Sequence, residues 1–272
     1  MSCPACFQGG VSTSHPTGKE ATVHGLATYV AEPEENTTPK GIIVFITDAF
    51  GWDFVNNRVL CDHYAKGGFL VYCPDFMNGS SMPSRALTLM DEIMKPGSWF
   101  NALTRYSVSQ PRVFSFVKAL RTSPPPFDTN NLKVGAAGFC WGGRHTVLLA
   151  ADTPSSRVYR HESQVNSSSL EPLIDCAFTA HPSYIEVPRD IEAITIPTSV
   201  AVGENDMAMG ANNIQQMKGI LENKKVGEHE VIIIPGAKHG FSLRTHPDDK
   251  HETECAQQAE DQAISWFARW FN

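Results

Sequence analysis

The chain lacks both a long apolar run and an excess of positive charge. No segment approaches the roughly 18 consecutive apolar residues that a membrane-spanning helix needs. Lys and Arg number 22 against 29 Asp and Glu, and the formal net charge is −7. Because contacts with phosphate groups need a basic surface, this balance argues against nucleic acid as a partner. We therefore expect a protein that binds neither a membrane nor nucleic acid.

The first residues also lack the features of an export signal. Residues 1–6 contain neither a basic flank nor an apolar segment. The cysteine count is 7, and an odd count without an export signal predicts reduced thiols in the cytosol. Cys3 and Cys6 have the spacing of half a zinc site, but a second C-x-x-C is absent. We expect a cytoplasmic protein without a bound metal or other cofactor.

Hydrophobic residues make up 42% of the 272 residues, which is enough for one large core. Apolar runs rich in β-branched residues predict strands at 41–46, 69–73, 132–137, 174–179, 198–202 and 230–234. Helical patterns occur between them and at the end of the chain, at 53–66, 111–121, 143–151 and 253–271. This alternation predicts an α/β fold with a mostly parallel, doubly wound central sheet. We expect an irregular arm over 1–20 and a single domain over 21–272, with 152–170 as a surface insertion.

The segment over residues 132–150 carries the strongest chemical signal. A short strand leads into Gly138-Phe139-Cys140-Trp141-Gly142-Gly143, and a helical pattern follows. A strand, a G-x-C-x-G-G turn and a helix form the layout of a nucleophile elbow, in which glycines let the two backbones approach closely. Amide N–H groups and the positive end of the helix dipole then point at the cysteine. The pattern predicts a nucleophile at Cys140; the alternative is a buried cysteine in a glycine-rich turn.

Two further candidates follow later strands, in the order nucleophile, acid, histidine. Asp206 and His239 each lie on a loop directly after an apolar run, and parallel strands bring such loops to one edge of the sheet. We interpret Asp206 as the group that orients the His239 imidazole, which would take the proton of Cys140. Glu204 is the rival acid. Each residue taken alone could instead be a turn former or a structural polar group.

With these residues in place, the chain resembles the dienelactone hydrolase family, in particular its eukaryotic and fungal members, from about residue 25 to the C-terminus. The resemblance rests on four segments: Thr47-Asp48-Ala49-Phe50-Gly51, Gly138-Phe139-Cys140-Trp141-Gly142-Gly143, Gly203-Glu204-Asn205-Asp206 and Lys238-His239-Gly240-Phe241. It implies a compact α/β-hydrolase fold without a large lid domain. It also implies Cys140, Asp206 and His239 as a catalytic triad, and the backbone N–H groups of Ala49 and Trp141 as an oxyanion hole.

The chain departs from the family at Asp48, where members that act on lactones carry Glu. The resemblance implies that in those members the carboxylate contacts the resting cysteine and helps to generate the thiolate. The side chain of Asp48 is one methylene shorter, so it would reach the thiol through water or serve another purpose. The alternative is that Asp48 caps the helix beginning near Trp52-Asp53.

A second departure concerns how a substrate is held. Bacterial relatives bind a lactone carboxylate with arginines, one of them shortly after the catalytic histidine. Arg244 lies one position beyond that spacing, so it is a candidate for substrate binding or a solvated surface residue. His181, after a predicted strand, could line the pocket or serve as a structural polar group. Candidate pocket walls are the aromatic residues Trp52, Phe76, Trp99, Phe100 and Trp141.

Together these observations predict a hydrolase that cleaves a small-molecule ester or lactone through an acyl-thioester of Cys140. Two alternatives remain: a non-hydrolytic lyase or cyclase acting in the same pocket, and a retired hydrolase that acts as a binding protein. We expect a monomer or a small homo-oligomer.

Overall fold

A computed structural model describes residues 9–87, 106–164 and 169–272. The candidate pocket residues Trp99 and Phe100, and the Cys3/Cys6 pair, lie outside the described residues. In the part of the chain that is described, no helix combines the length and apolar character needed to cross a membrane.

The described residues form one sheet of eight strands. The strands are β1 Lys19–Val23, β2 Leu26–Ala31, β3 Ile42–Ile46, β4 Leu70–Pro74, β5 Val134–Phe139, β6 Cys176–Ala180, β7 Thr198–Asn205 and β8 His229–Lys238. Their order is β1-β2-β4-β3-β5-β6-β7-β8. Strands β3 to β8 pair in parallel, while β2 pairs antiparallel with both β1 and β4. The predicted mostly parallel sheet is confirmed.

Helices cover both faces of this sheet. They are α1 Val55–Lys66, α2 Tyr106–Thr122, α3 Trp141–Ala150, α4 Arg189–Glu192, α5 Ala211–Glu222 and α6 Lys250–Phe271. One hydrophobic core contains residues of α1 and α6, and the other contains residues of α2, α3 and α5. The sheet therefore separates two cores, as expected for a doubly wound fold.

Strand β3 shows why the central strands appear as continuous apolar runs. All five of its residues are buried. Ile42, Val44 and Ile46 pack in one core, while Ile43 and Phe45 pack in the other. Because successive side chains point to opposite faces, a strand covered on both sides shows no polar alternation.

The N-terminal hairpin is a structural element that the sequence did not indicate. Strand β1 begins at Lys19, inside the segment expected to be irregular, and β2 follows after His24 and Gly25, both at positive φ. The turn has two residues and ends in glycine, the typical signature of a tight hairpin. Four of the five β1 residues are exposed, so the apolar alternation that marks a strand is missing.

The segment expected to be a surface insertion is only partly at the surface. Val158 and Gln164 are buried, and Val158 forms an isolated antiparallel bridge with Glu171. The Gln164 side-chain amide donates to the carbonyls of Leu120 and Ser123, both at 2.6 Å. This part of the chain therefore supplies hydrogen-bond donors to carbonyl groups at the C-terminal end of helix α2.

Candidate active site

Cys140 lies between β5 and α3 on a strained turn. Its φ is 49° and its side chain is buried. A non-glycine residue rarely adopts a positive φ, and strain of this kind occurs mainly at functional sites. Neighbouring glycines make the turn sterically feasible. A Cβ at Gly138 would lie 2.0 Å from Thr146 Oγ1, and one at Gly142 would lie 2.0 Å from the Ile46 carbonyl oxygen.

The first turn of α3 packs against the loop after β3. The Gly142 N–H donates to the Thr47 carbonyl at 3.0 Å, so the loop that contains Ala49 runs beside the Cys140 turn. Trp141 is the first residue of α3, and an N–H at this position has no acceptor within its own helix. The two N–H groups expected to form the oxyanion hole thus lie on segments that adjoin Cys140.

His239 and Asp206 form a buried pair at the carboxyl edge of the sheet. His239 Nδ1 lies 3.0 Å from each carboxylate oxygen of Asp206, and both side chains are excluded from solvent. The Ala208 N–H donates to Asp206 Oδ1 at 2.8 Å and fixes the carboxylate. Glu204 is exposed and accepts a hydrogen bond from the Gly236 N–H at 3.0 Å. Of the two candidate acids, Asp206 is the one in contact with the imidazole.

The surroundings of His239 favour its charged form. Burial lowers the pKa of His239, but the charge of a Cys140 thiolate and the hydrogen bonds to Asp206 and Cys140 outweigh that effect, as does the charge of Asp206. Together they raise the pKa to about 10. The imidazole can therefore hold the proton that a thiol gives up.

Ser183, on the loop after β6, contacts both Cys140 and His239, and no sequence pattern indicated it. Its Oγ lies 3.5 Å from Cys140 Sγ and 3.3 Å from His239 Nε2. Its own N–H donates to the Cys140 carbonyl at 2.9 Å. In the segment Ala180-His181-Pro182-Ser183 the sequence indicates the histidine as the candidate, but the serine is the residue that contacts Cys140.

Asp48 and Arg244 form a buried ion pair that corrects two sequence-based alternatives. Arg244 is 3% exposed and pairs with the Asp48 carboxylate, so it is not a solvated surface residue. Helix α1 begins at Val55 without a side-chain cap, so Asp48 does not cap it. Instead, Asp48 Oδ1 accepts from the Phe50 N–H and from Asn57 Nδ2, both at 3.1 Å. Burial raises the pKa of Asp48 against the opposing effect of Arg244, and the charge of Cys140 raises it further.

His181 lies against the imidazole of His239 rather than in open space. The centroids of the two rings are 5.0 Å apart at an interplanar angle of 74°. His181 is fully buried, and neither ring nitrogen has a hydrogen-bond partner among the described residues. Burial lowers the pKa of His181 well below its ordinary value, and His239 and Arg244 lower it further, so the ring is neutral.

Two of the aromatic residues expected to line a pocket, Trp52 and Phe76, contact other side chains of the protein. The ring of Trp52 lies 4.9 Å from the Arg58 guanidinium, and its carbonyl accepts from Arg58 Nε at 3.0 Å. Phe76 is buried in contact with Phe116. A role for Trp52 in substrate binding stays a prediction.

A cavity of about 480 Å³ adjoins the loop of His239. Its lining includes Leu87, Phe241 and Arg244, together with residues at the start of α6. Cavities of this size hold small molecules. Among residues 9–87, 106–164 and 169–272, no three His, Cys, Asp or Glu side chains are grouped as metal ligands.

Comparison with known proteins gives one consistent result. The sequence model of the dienelactone hydrolase family matches residues 26–159 and 162–271 of this chain. The hydrolase pyvD of Aspergillus violaceofuscus is 24% identical over 268 residues, which cover 97% of this chain and 95% of that protein. Dienlactone hydrolase 1 of Gibberella moniliformis is also 24% identical, with 97% and 92% covered. A putative dienelactone hydrolase structure from Klebsiella pneumoniae is 19% identical, with a TM-score of 0.66 and with 93% of this chain and 99% of that chain covered.

Proposed function

The chain belongs to the dienelactone hydrolase family, and on that premise we propose that it hydrolyses a small ester or lactone with Cys140 as nucleophile. The observation that carries the proposal is the buried His239–Asp206 pair beside a cysteine on a strained turn. A nucleophile, a base in reach of it and a group that orients the base are the three parts of a hydrolytic triad.

The acylation step follows from this geometry. The Cys140 thiolate attacks the substrate carbonyl carbon, and the N–H groups of Ala49 and Trp141 stabilise the negative oxygen that forms. When the carbon–oxygen bond to the alcohol breaks, the His239 imidazolium gives its proton to the leaving alkoxide. The products of this step are a thioester on Cys140 and a neutral imidazole.

Deacylation uses the same groups in reverse. Neutral His239 removes a proton from water as the oxygen attacks the thioester carbonyl. The thiolate is expelled, the acid is released, and the imidazolium–thiolate pair is restored. A lactone suits this scheme, because its alcohol group stays attached to the acyl group throughout.

The resting site restricts the role of Arg244. Asp48 already pairs with its guanidinium inside the protein, so a substrate carboxylate would compete with that ion pair. We therefore propose that Arg244 chiefly holds Asp48 beside Cys140, and that the substrate need not carry a carboxylate. From the sequence, we further propose a cytoplasmic monomer or small homo-oligomer with one domain over 21–272.

The first test is hydrolysis of a panel containing p-nitrophenyl acetate, a thioester and several lactones. We expect turnover by the wild type and its loss in Cys140→Ala. Cys176→Ala is the matched control, because Cys176 is a buried cysteine at the opposite end of the neighbouring strand β6. Near-wild-type turnover by Cys140→Ala would overturn the proposal.

Mass spectrometry then locates the covalent intermediate. Wild type quenched during turnover of p-nitrophenyl acetate should carry one acetyl group on the peptide containing Cys140. An acetyl group on the Ser183 peptide instead would show that the hydroxyl is the nucleophile. Incorporation of heavy oxygen from labelled water into the product acid separates hydrolysis from a lyase or cyclase reaction.

A further inference from the structure

The hydroxyl of Ser183 contacts both Cys140 and His239. Its Oγ is within hydrogen-bond distance of Cys140 Sγ, at 3.5 Å, and of His239 Nε2, at 3.3 Å. The side chain is 4% exposed, so bulk water does not compete for these contacts. A hydroxyl can donate one hydrogen bond and accept another at the same time, as this position requires.

The loop that carries Ser183 is tied to the cysteine by its backbone. The Cys140 N–H donates to the Ala180 carbonyl at 3.3 Å, and the Ser183 N–H donates to the Cys140 carbonyl at 2.9 Å. The His181 N–H donates to the Ala201 carbonyl on β7 at 2.9 Å. These three bonds fix the distance between Ser183 and Cys140 through the main chain.

The same loop is conformationally strained on both sides of Ser183. His181 has a φ of 37° and Tyr184 a φ of 61°, values that residues with a Cβ rarely adopt. A structure keeps such conformations where the surrounding contacts require them, and they are concentrated at functional sites. The strained residues here flank a side chain that contacts both Cys140 and His239.

The orientation of His239 determines which of its nitrogens is available. Nδ1 faces both oxygens of Asp206 at 3.0 Å, so it carries a proton in either charge state. In the neutral imidazole Nε2 is then an acceptor, and it faces Ser183 Oγ. His239 is also hydrogen-bonded to Cys140 directly, so the Ser183 hydroxyl lies beside this contact and touches both of its members.

We propose that Ser183 is a catalytic residue whose hydroxyl stabilises the ion pair formed by the Cys140 thiolate and the His239 imidazolium. The thiol proton passes directly to His239 across the hydrogen bond between the two groups. The S–H bond breaks as the N–H bond at Nε2 forms, so Cys140 becomes a thiolate and His239 an imidazolium. Ser183 remains a neutral hydroxyl throughout and donates its hydrogen bond to Sγ of the thiolate. The inference rests on the proposed function, since it assigns a role within the same site.

The test measures how fast iodoacetamide alkylates Cys140 as a function of pH, with peptide mapping to separate this thiol from the other cysteines. We expect Ser183→Ala to slow alkylation at pH 7 about tenfold, the order of magnitude for losing a hydrogen bond to a charged group. Its pH profile should shift upward by about one unit. Because the effect concerns formation of the thiolate, the rates should converge at high pH.

Two variants distinguish this role from mere packing. Ser183→Thr keeps a hydroxyl and should restore alkylation to within about threefold of wild type. Ser109→Ala removes another buried serine hydroxyl that lies 3.1 Å from a histidine, His145 Nε2, and should leave the pH profile unchanged. An unshifted profile in a folded Ser183→Ala variant would overturn the proposal. So would a Ser183→Thr profile as shifted as that of Ser183→Ala.

Alkylation does not depend on any substrate, so this result is separate from the proposed hydrolysis. A shifted profile with no turnover of the ester and lactone panel would support stabilisation of the thiolate by Ser183 and contradict the hydrolytic function. Turnover that depends on Cys140, together with an unshifted profile, would support hydrolysis and contradict the role of Ser183.

Discussion

A cluster of polar and charged side chains lies at each end of strand β5, and the two clusters differ in how their hydrogen bonds are arranged. The amino-end cluster consists of Arg121, Arg160 and Asp175. Asp175 Oδ2 accepts from the Val134 N–H at 2.8 Å and from Arg121 at 2.7 Å, while Oδ1 accepts from Arg160 at 3.0 Å. Arg121 also donates to the carbonyls of Leu132 and Leu173.

The carboxyl-end cluster consists of Cys140, Ser183, Asp206 and His239. Here the thiol, hydroxyl and imidazole each have a proton that can move, whereas the guanidinium groups of the amino-end cluster can only donate. In the amino-end cluster, burial opposes the charge of Asp175, but Arg121 and Arg160 outweigh it and lower the pKa of Asp175. That carboxylate stays ionised.

This difference in hydrogen bonding suits the amino-end cluster to stabilising the fold and the carboxyl-end cluster to the proposed chemistry. A cluster of fixed donors and acceptors holds the fold together, and its loss leaves a buried charge unpaired. A cluster with mobile protons can change charge state without rearrangement, as catalysis requires. The same isosteric change from Asp to Asn should therefore have opposite consequences at the two ends.

The largest expected effect is that of Asp206→Asn on turnover. Removing the carboxylate charge and reversing the tautomer of His239 should reduce kcat by about four orders of magnitude, or about 5 kcal/mol in the barrier. Thermal unfolding should shift by no more than a few degrees. Glu204→Gln, at the exposed rival acid, is the control and should keep wild-type turnover. Loss of activity in the control with retention in Asp206→Asn would reverse the assignment of the acid.

Asp175→Asn tests the contribution of the amino-end cluster to stability. It leaves Arg121 without its carboxylate partner and should lower the free energy of unfolding by about 3 kcal/mol, with turnover of the folded enzyme nearly unchanged. Urea unfolding and kcat at 20 °C measure the two quantities. Glu228→Gln, in an exposed pair with Arg269, should change neither.

The difference in unfolding free energy between wild type and Asp175→Asn should decrease as the pH falls. The folded pKa of Asp175 is lower than the unfolded value of 3.8, so its contribution to stability is present at neutral pH. The contribution is lost as the pH falls below about 4. The advantage of wild type over Asp175→Asn should accordingly shrink between pH 7 and pH 3.5.

Local sequence signals predicted the elements that place the carboxyl-end cluster. The apolar runs of the central strands and the glycines around Cys140 each reflect a contact that a few neighbouring residues determine. Gly138 and Gly142 are needed because the backbones of β5, α3 and β3 approach too closely for a Cβ. Such steric requirements remain visible in a short motif.

The parts that the sequence did not reveal depend on residues far apart in the chain. Ser183 meets Cys140 across 43 positions, and Asp48 meets Arg244 across 196 positions. Neither pair leaves a pattern in composition or spacing, because the sheet order brings them together. The hairpin β1–β2 was missed for another reason: its exposed edge strand buries little apolar surface and shows no alternation.

A smaller effect is expected at Gly135, near the amino end of β5. A Cβ there would lie 2.5 Å from Phe267 Cε1 and 3.0 Å from Phe271 Cζ. Gly135→Ala should cost about 1–3 kcal/mol in unfolding free energy through overpacking, again without changing turnover of the folded enzyme. Adding Phe267→Leu should relieve part of this loss, so the two substitutions should be less than additive. Full additivity would show that the new methyl group does not meet the ring.

The smallest predicted effect concerns another buried histidine, which lies on the helix that follows β5. His145 on α3 packs against the Trp141 ring, with centroids 4.5 Å apart. Burial, with a further contribution from Arg144, lowers the pKa of His145 to about 3, opposite to the shift of His239. Its unfolded value is near 6.5, so the unfolded chain binds the extra proton between pH 6.5 and pH 3. Stability from this group is therefore complete above pH 6.5 and declines as the pH falls.

Lowering the pH from 7.5 to 5.5 should thus cost wild type about 1.4 kcal/mol through His145, the value of one pH unit below 6.5. His145→Gln removes the titrating group, so its stability should fall less over this interval by about that amount. Urea unfolding at the two pH values measures the difference, with His15→Gln as the exposed control. Equal losses in wild type and His145→Gln would show that folded His145 takes up a proton between pH 7.5 and pH 5.5 as readily as the unfolded chain does. The ring would then titrate in the folded protein instead of staying neutral.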